Sequence, residues 1–517
     1  MEAHVYPEGC TFSSIDEIKG KKITVMGLGL NGGGEACVRF FLKHGALVTV
    51  TDMKTAEQLK PTIDSIAQDK TLPLQNLTYV LGVHRLSDFS EADCVIKNPG
   101  VKYEGNKFLA AAKAVETDIS IFLNFTEAPV IAVTGSKGKS STVSAIDFGL
   151  KQAGYTSFLG GNITVSPLTF LEQTSKDTPV VLELSSWQLR DLRGRKILKP
   201  KIAVITKIVP DHQNFYGAME PYVDDKRLIY VDQDETDFVI LDTDEDGYLK
   251  ECPAPKAGCK CWGDDFASEA KAKVLRYSVK ELPQKFFGVY QKNSADKKEG
   301  ILRLDGEEKR ILGELSVPGL HNRINVLNAA LVLSLMKVPA DKTEKIMSKW
   351  HGIPHRLEYF HEWNNSSDGI RFVFYNDSCS TVPEAAAAAS QSFEDRVILI
   401  TGGTDKELDF LPLARTLSTE DGSKFIPYSV YLLNGTGTAK LTPLLEERGV
   451  KYEGPFDSPE ALLNELKKSL SENFLTKNPG AGKSVKIVFS PGCTSFGMFK
   501  NEFDRGNTFK ELVKKIF

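Results

Sequence analysis

The sequence predicts an α/β protein of three domains, each built on a mostly parallel sheet. Three observations carry that expectation. The chain has 517 residues, too many for one hydrophobic core. Short apolar runs, each closing in a polar or glycine-rich turn, recur from the start of the chain to its last third. Two glycine-rich loops each stand between a strand pattern and a helix pattern.

The first such unit opens with a strand over Lys21–Met26, followed by Gly27-Leu28-Gly29-Leu30-Asn31-Gly32-Gly33-Gly34. A helix from about Glu35 to His44 ends at Gly45, and a second strand, Leu47–Thr51, ends at Asp52. The glycines fit G-x-G-x-x-G, with an acidic residue twenty positions past Gly32. By itself this spacing predicts a Rossmann-like unit that binds a dinucleotide. The physical content is broader. Glycines admit a diphosphate to the backbone, and a helix start supplies amides and a positive dipole end. A UDP diphosphate suits the same cradle, and a plain turn without ligand is the bland alternative. Cys94–Ile96 then runs into the turn Asn98-Pro99-Gly100.

The second unit opens with the apolar run Pro129–Val133, the loop Thr134-Gly135-Ser136-Lys137-Gly138-Lys139, and a helix from Ser140 to about Ala153 stopped by Gly154. A strand before and a helix after is the setting a phosphate loop needs. Backbone amides and Lys139 would hold ATP phosphates, and the Ser140 hydroxyl would reach Mg²⁺. Val133 stands where the full phosphate-loop pattern has its first glycine, so this is a variant. Gly480-Ala481-Gly482-Lys483-Ser484 has similar composition but precedes a strand pattern, so it reads as a plain loop. Strands follow at Val180–Leu184 and Ile202–Thr206. Glu183, at a strand end near the loop, is a natural Mg²⁺ ligand or else an ordinary paired carboxylate. His212 alone reads as structural, and Lys226 as a solvated helix lysine.

Residues from about 232 to 308 are charged and irregular, with weak strand signals, and read as an insertion or an elaborated sheet edge. In the last third, strands are expected at Arg371–Tyr375, Val397–Thr401, Val430–Leu433 and Lys486–Phe489. The boundaries follow: a Rossmann-like domain over 1–116, a phosphate-loop-type central domain over 117–352 with the insertion near 232–308, and a second Rossmann-like domain over 353–517.

Composition narrows the function classes. Hydrophobic residues are 41% and charged residues 26%, as in ordinary globular proteins, and the net charge of −4 gives no electrostatic support for nucleic-acid binding. No apolar run reaches membrane-span length, and Met1–Phe12 has no apolar signal core, so a cytoplasmic protein is expected. Eight cysteines are too sparse for a disulfide framework. Cys252, Cys259 and Cys261 cluster, but no CxxC pair or nearby histidine completes a zinc set, so free thiols are expected.

Taken in order, several strings resemble the Mur ligase family across nearly the whole chain. They are Gly27–Asn31, Asn98–Gly100, Thr134–Thr142, Gly160–Ile163, Glu183–Leu189, Asp211-His212, Asp225–Leu228, Pro318–Asn322, Pro354–Arg356, Asn376–Ser378, Gly402–Lys406 and Ser490–Phe499. The resemblance implies an ATP- and magnesium-dependent amide ligase whose domains bind UDP, ATP and an amino acid in turn. It places Leu30 and Asn31 on the diphosphate, with Asp52 and Gly100 near uracil. ATP falls to Gly135, Ser136, Lys137, Gly138, Lys139, Ser140, Ser141, Arg356, Asp377 and either Asn322 or Asn325. Ser140 and Glu183 would bind one Mg²⁺, and His212 and Lys226 a second, with Lys226 carbamylated or else unmodified and paired with phosphate. Asn162 would touch the muramoyl substrate.

Asn376-Asp377-Ser378 and Ser490–Ser495 resemble the members that join D-glutamate to UDP-N-acetylmuramoyl-L-alanine, and the Asp-Asn-Pro-Arg string of the next ligase is absent. Thr381, Lys406, Ser495 and the backbone near Phe503 would bind D-glutamate. Cys379 replaces a usual lysine, Lys137 a usual asparagine, and Glu502-Phe503 inverts an aromatic–acid pair. A monomer is expected. The competing readings are another ligase of the family, a nicotinamide-dependent dehydrogenase, which leaves Lys139, Glu183, His212 and Arg356 without work, and a nucleotide-binding scaffold without turnover.

Overall fold

A computed structural model describes residues 3–163, 165–243, 262–293, 298–367, 369–393, 395–420, 425–472 and 474–517. The cluster Cys252, Cys259 and Cys261 lies outside the described residues. Two compact units form: residues 1–314 with 324–348, and residues 315–323 with 349–517. The first holds two sheets and the second holds one.

The first sheet is parallel throughout. Its strands run in the order Leu77–Leu81, Leu47–Asp52, Lys22–Met26, Cys94–Lys97, Val115–Glu116. The order reverses direction between Lys22–Met26 and Cys94–Lys97. The loops that leave those two strands therefore open a crevice at their carboxyl ends. These are the glycine loop and the Asn98-Pro99-Gly100 turn, and a Cβ placed on Gly27 would touch Asn98 at 3.4 Å.

In the central sheet the order is Glu307–Leu312, Lys298–Leu304, Gly288–Asn293, Lys273–Ser278, Phe238–Asp242, Ile202–Ile205, Val130–Thr134, Val180–Glu183, Phe158–Gly161. Val130–Thr134, Val180–Glu183 and Ile202–Ile205 are buried along their whole length, as strands covered on both faces must be. The charged stretch near 232–308 resolves into the second of its two readings. Its described parts extend the sheet edge, in parallel up to Gly288–Asn293 and then as an antiparallel meander. The strand signal is weak at the outer edge because the first four residues of Glu307–Leu312 are exposed and charged and only Ile311 and Leu312 are buried.

The second unit carries the order Glu358–Asn364, Arg371–Asn376, Ser484–Phe489, Val397–Thr401, Ser429–Leu433, Glu453–Phe456, parallel except for the first pair. Alternation splits its side chains between two cores. Phe372, Phe374, Ile398, Ile400, Ile487 and Phe489 pack with residues of helices Pro459–Ser471 and Glu502–Ile516. Val373, Tyr375, Leu399 and Val488 pack with residues of Pro383–Gln391, Leu411–Thr416 and Thr436–Glu447. Gly480–Ser484 leads into strand Ser484–Phe489 rather than a helix, as its sequence context indicates.

Candidate active site

In the first unit, three neighbouring strand ends of the central sheet build one cradle. Val133 pairs with Glu183 and Thr134 with Ile205. Thr134 Oγ1 donates to Leu184 O at 2.7 Å, and Thr206 Oγ1 donates to Thr134 O at 3.1 Å. The loop leaving Thr134 closes on helix Lys139–Ala153, capped by Gly138 in the left-handed region. The amides of Lys139, Ser140 and Ser141 begin that helix and have no acceptor within it. A Cβ on Gly138 would lie 2.4 Å from Asn325 Oδ1, and its φ of 94° strains any other residue. Gly138→Ala should thus weaken ATP binding about tenfold or more, read by titration calorimetry.

The cradle separates the predicted loop residues by task. Ser136 is buried, and its hydroxyl donates to Val209 O at 2.8 Å while receiving the Tyr222 hydroxyl at 2.9 Å. The Ser136 and Lys137 amides donate to Lys207 O. These contacts hold the loop's shape and leave the helix-start amides to face outward. Asn325 lies against Gly138, whereas Asn322 donates its side-chain amide to Pro318 O at 2.8 Å. Asn325 is thus the asparagine that this unit places beside the loop.

Two lysines approach the same carbonyl. Lys139 Nζ donates to Gly135 O at 2.9 Å and Ser136 O at 3.1 Å. Lys226 Nζ donates to Gly135 O at 2.9 Å and lies 4.6 Å from the centre of the Tyr222 ring. Lys226 is 1% exposed, so the solvated-helix reading of it fails. Burial, reinforced by the Lys139 charge, holds its ammonium well below the usual lysine range against Asp211, Asp225 and Glu183. Burial lowers Lys139 as well.

Glu183 is 1% exposed and accepts from Asn162 Nδ2 at 2.8 Å through Oε1, while its Oε2 is buried without a hydrogen-bond partner. A buried, unpaired carboxylate oxygen fits a cation. Asn162 is pinned by its backbone too, its amide donating to Glu183 O. His212 adopts φ 51° and packs its ring 4.9 Å from Trp187 and 6.3 Å from Tyr222. Among the described residues no three His, Cys, Asp or Glu side chains form a ready metal set. Glu183 and His212 do not make a complete cation shell by themselves.

On the first sheet, Asp52 Oδ2 accepts the amides of Leu28 and Gly29 at 2.9 and 3.1 Å, and Oδ1 accepts that of Lys54 at 2.9 Å. Its visible work is to fold the glycine loop. Gly34 admits no side chain, because a Cβ would meet Leu28 O at 2.3 Å. Leu30 is 53% exposed and Asn31 is exposed beside it, while Gly100 donates its amide to Asn98 Oδ1.

The second unit repeats the design. Asp377 Oδ2 accepts from Ser490 Oγ at 2.7 Å and Oδ1 from the Leu357 amide, and burial pushes its carboxyl up to about 6. Gly492 donates to Ser380 O, and Thr494 donates to Thr404 O. These bonds bring the Thr381, Ser495 and Lys406 loops to adjacent strand ends. Lys406 and Arg356 are exposed there, and Phe503 is 52% exposed with its ring against His355. A residue that sequence reasoning missed here is Arg505. It is 2% exposed, and its guanidinium donates to Ser378 Oγ, Ser378 O and Cys493 O at 3.0, 2.7 and 2.9 Å, so it clamps two of the predicted strings together. Burial pulls it down to about 10. No local signal marks it, since a lone arginine early in an amphipathic helix reads as surface. Arg505→Met should cost about 3 kcal/mol in denaturant unfolding of this unit, because two buried carbonyls lose their donor.

A largely parallel sheet whose phosphate-type loop stands beside a buried carboxylate and two lysines is the arrangement of a nucleotide-handling α/β protein. The comparisons narrow the class. The Mur ligase middle domain matches residues 133–333, and the Mur ligase MurD-like N-terminal domain matches residues 21–120. The UDP-N-acetylmuramoylalanine–D-glutamate ligase of Treponema pallidum (strain Nichols) is 38% identical, over 97% of this chain and 98% of its own. The ligase of that name from Borreliella burgdorferi (strain ZS7) is 36% identical, over 97% and 99%. Crystal structure II of MurF from Acinetobacter baumannii shares the fold with TM-score 0.55 at 12% identity, covering 100% of this chain and 99% of that one. The chain belongs to the Mur ligase family.

Proposed function

We infer that the chain is an ATP-dependent ligase that joins D-glutamate to UDP-N-acetylmuramoyl-L-alanine in peptidoglycan precursor synthesis. The observation that carries this is identity of 38% and 36%, over 97% of this chain, with ligases whose names state that reaction. The cradle supports the chemistry. The substrate's alanyl carboxylate attacks the γ-phosphorus of ATP, giving an acyl phosphate and ADP. The D-glutamate amine then attacks the acyl carbonyl, and inorganic phosphate leaves as the amide forms. Lys139 and the first-turn amides of helix Lys139–Ala153 offset the charge of the transferring phosphoryl group.

Ser140 and Glu183 would hold one Mg²⁺, and His212 with a carbamylated Lys226 a second. Bound there, Mg²⁺ supplies charge compensation between phosphate and carboxylate. The unpaired Glu183 Oε2 supports the first assignment. The depressed Lys226 ammonium supports the second, because a neutral amine adds CO₂, losing one proton and becoming a carboxylate. Asn325, Arg356 and Asp377 are assigned to ATP. Leu30, Asn31, Asp52, Gly100 and Asn162 are assigned to the UDP-linked substrate, with Asp52 acting through the loop it folds. Thr381, Lys406, Ser495 and Phe503 are assigned to D-glutamate. No helix among the described residues is long and apolar enough to cross a membrane; a cytoplasmic monomer is proposed. Phosphate release with UDP-N-acetylmuramoyl-L-alanine, ATP and Mg²⁺, run against a panel of L- and D-amino acids, tests the reading. Turnover restricted to D-glutamate is expected, and turnover with a different amino acid or with none refutes it.

A further inference from the structure

In the first unit, a chain of buried charges joins the first sheet to the central sheet. Lys97 ends strand Cys94–Lys97 and is 2% exposed. Its Nζ donates to Asp191 Oδ2 at 2.7 Å and to Asn98 O at 3.2 Å. Asp191 caps helix Ser186–Arg190 of the central domain and is 4% exposed. Its Oδ1 accepts the Tyr6 hydroxyl at 3.2 Å, and its backbone carbonyl accepts Arg195 Nε at 2.9 Å. Arg195 pairs with Glu116, at the end of the first sheet, at 2.9 Å. Every carboxylate in this cluster has a cation.

The position of Lys97 is what gives the cluster a task. Asn98 O also receives the Val101 amide, and Asn98 Oδ1 receives that of Gly100. The Asn98–Val101 turn is thus a closed unit whose carbonyl is gripped by an ammonium tied to Asp191. Asp191 in turn lies one short helix beyond Glu183. A buried ion pair contributes little net stability over an apolar pair of the same size. What it adds is a directional hold, here from Asp191 through the Lys97 ammonium to Asn98 O.

We propose that Lys97 is a positioning residue for the UDP-linked substrate, which registers the Asn98–Gly100 turn against the central cradle through Asp191. The proposal rests on the functional reading above. A residue that merely packs would change stability and the amount of active enzyme; a positioning residue changes the KM for one substrate.

The test compares Lys97→Met, Lys97→Arg and the double variant Lys97→Met/Asp191→Leu with the wild type, by Tm and by KM for each substrate. Lys97→Met should raise the KM for UDP-N-acetylmuramoyl-L-alanine about tenfold or more while the KM for ATP stays within about twofold. The apolar double variant should recover Tm yet keep the raised KM, since only the turn's own Val101 amide then donates to Asn98 O and no ammonium ties that carbonyl to the central sheet. Lys97→Arg should restore most of the affinity. A double variant with wild-type Tm and wild-type KM overturns the proposal, as does an equal rise for ATP. Calorimetry with UDP and ADP separates this failure from that of the functional reading. Loss of UDP affinity with ADP affinity kept supports the positioning role even if the wild type turns over none of the stated substrates, and unchanged UDP affinity sinks it.

Discussion

Lys139→Ala is expected to lower ligase turnover by about 10²-fold or more, the magnitude of removing a main electrostatic clamp on a transferring group. The physical case is its placement. The ammonium sits on the first residue of the helix and is held over the loop by Gly135 O and Ser136 O. Charge grows on the oxygens of the phosphoryl group as it moves, so losing this cation should reduce kcat more than ATP affinity. The helix-start amides remain to bind the ground state. Lys139→Arg should not restore turnover, because a planar fork does not fit the seat of a compact ammonium between two carbonyls. Phosphate-release kinetics decide it, and near-normal kcat in Lys139→Ala removes Lys139 from the mechanism.

Lys226→Ala should lose turnover by a similar or larger factor, about 10²- to 10³-fold. Millimolar acetate or formate should recover part of it by replacing the lost carboxylate. An unmodified Lys226 paired with phosphate predicts no such recovery, and ¹³C NMR in ¹³CO₂-equilibrated buffer should show a carbamate signal only if the lysine is modified. Stability should move the other way. The folded-state ammonium is held below its unfolded value near 10.5, so the folded chain binds fewer protons. Below the folded value its burial opposes folding, and that penalty fades as pH rises toward 10.5. Lys226→Met should therefore melt a few degrees higher than the unmodified wild type at neutral pH while remaining inactive. A lower Tm would show that the ammonium is better accommodated than its burial implies.

The strand-then-helix rhythm was legible wherever a strand is buried on both faces. Val130–Thr134, Val180–Glu183, Ile202–Ile205 and Val397–Thr401 are continuous apolar runs, and each was found within a residue or two. Edge strands were not. Glu358–Asn364 and Glu453–Phe456 carry half-exposed or exposed side chains, and pairing with a neighbour rather than local composition makes them strands. The residues that the resemblance names follow strand ends in short strings, and such strings can be read along the chain. Arg505 and Lys97 escaped, since each is defined by partners about a hundred positions away.

The order of elements, the two glycine loops, the loop lysine and the family were determined by the chain's own letters, because strand burial and helix starts leave local marks. Partnership was decided only by the tertiary structure. It set Asn325 against Gly138, tied Ser136 and Asp52 into their own loops, left one Glu183 oxygen unpaired and took the Lys226 ammonium out of water. Each of those outcomes depends on which groups lie within a few ångströms in a medium from which water is excluded, and neither the distance nor the exclusion can be read along a line of residues.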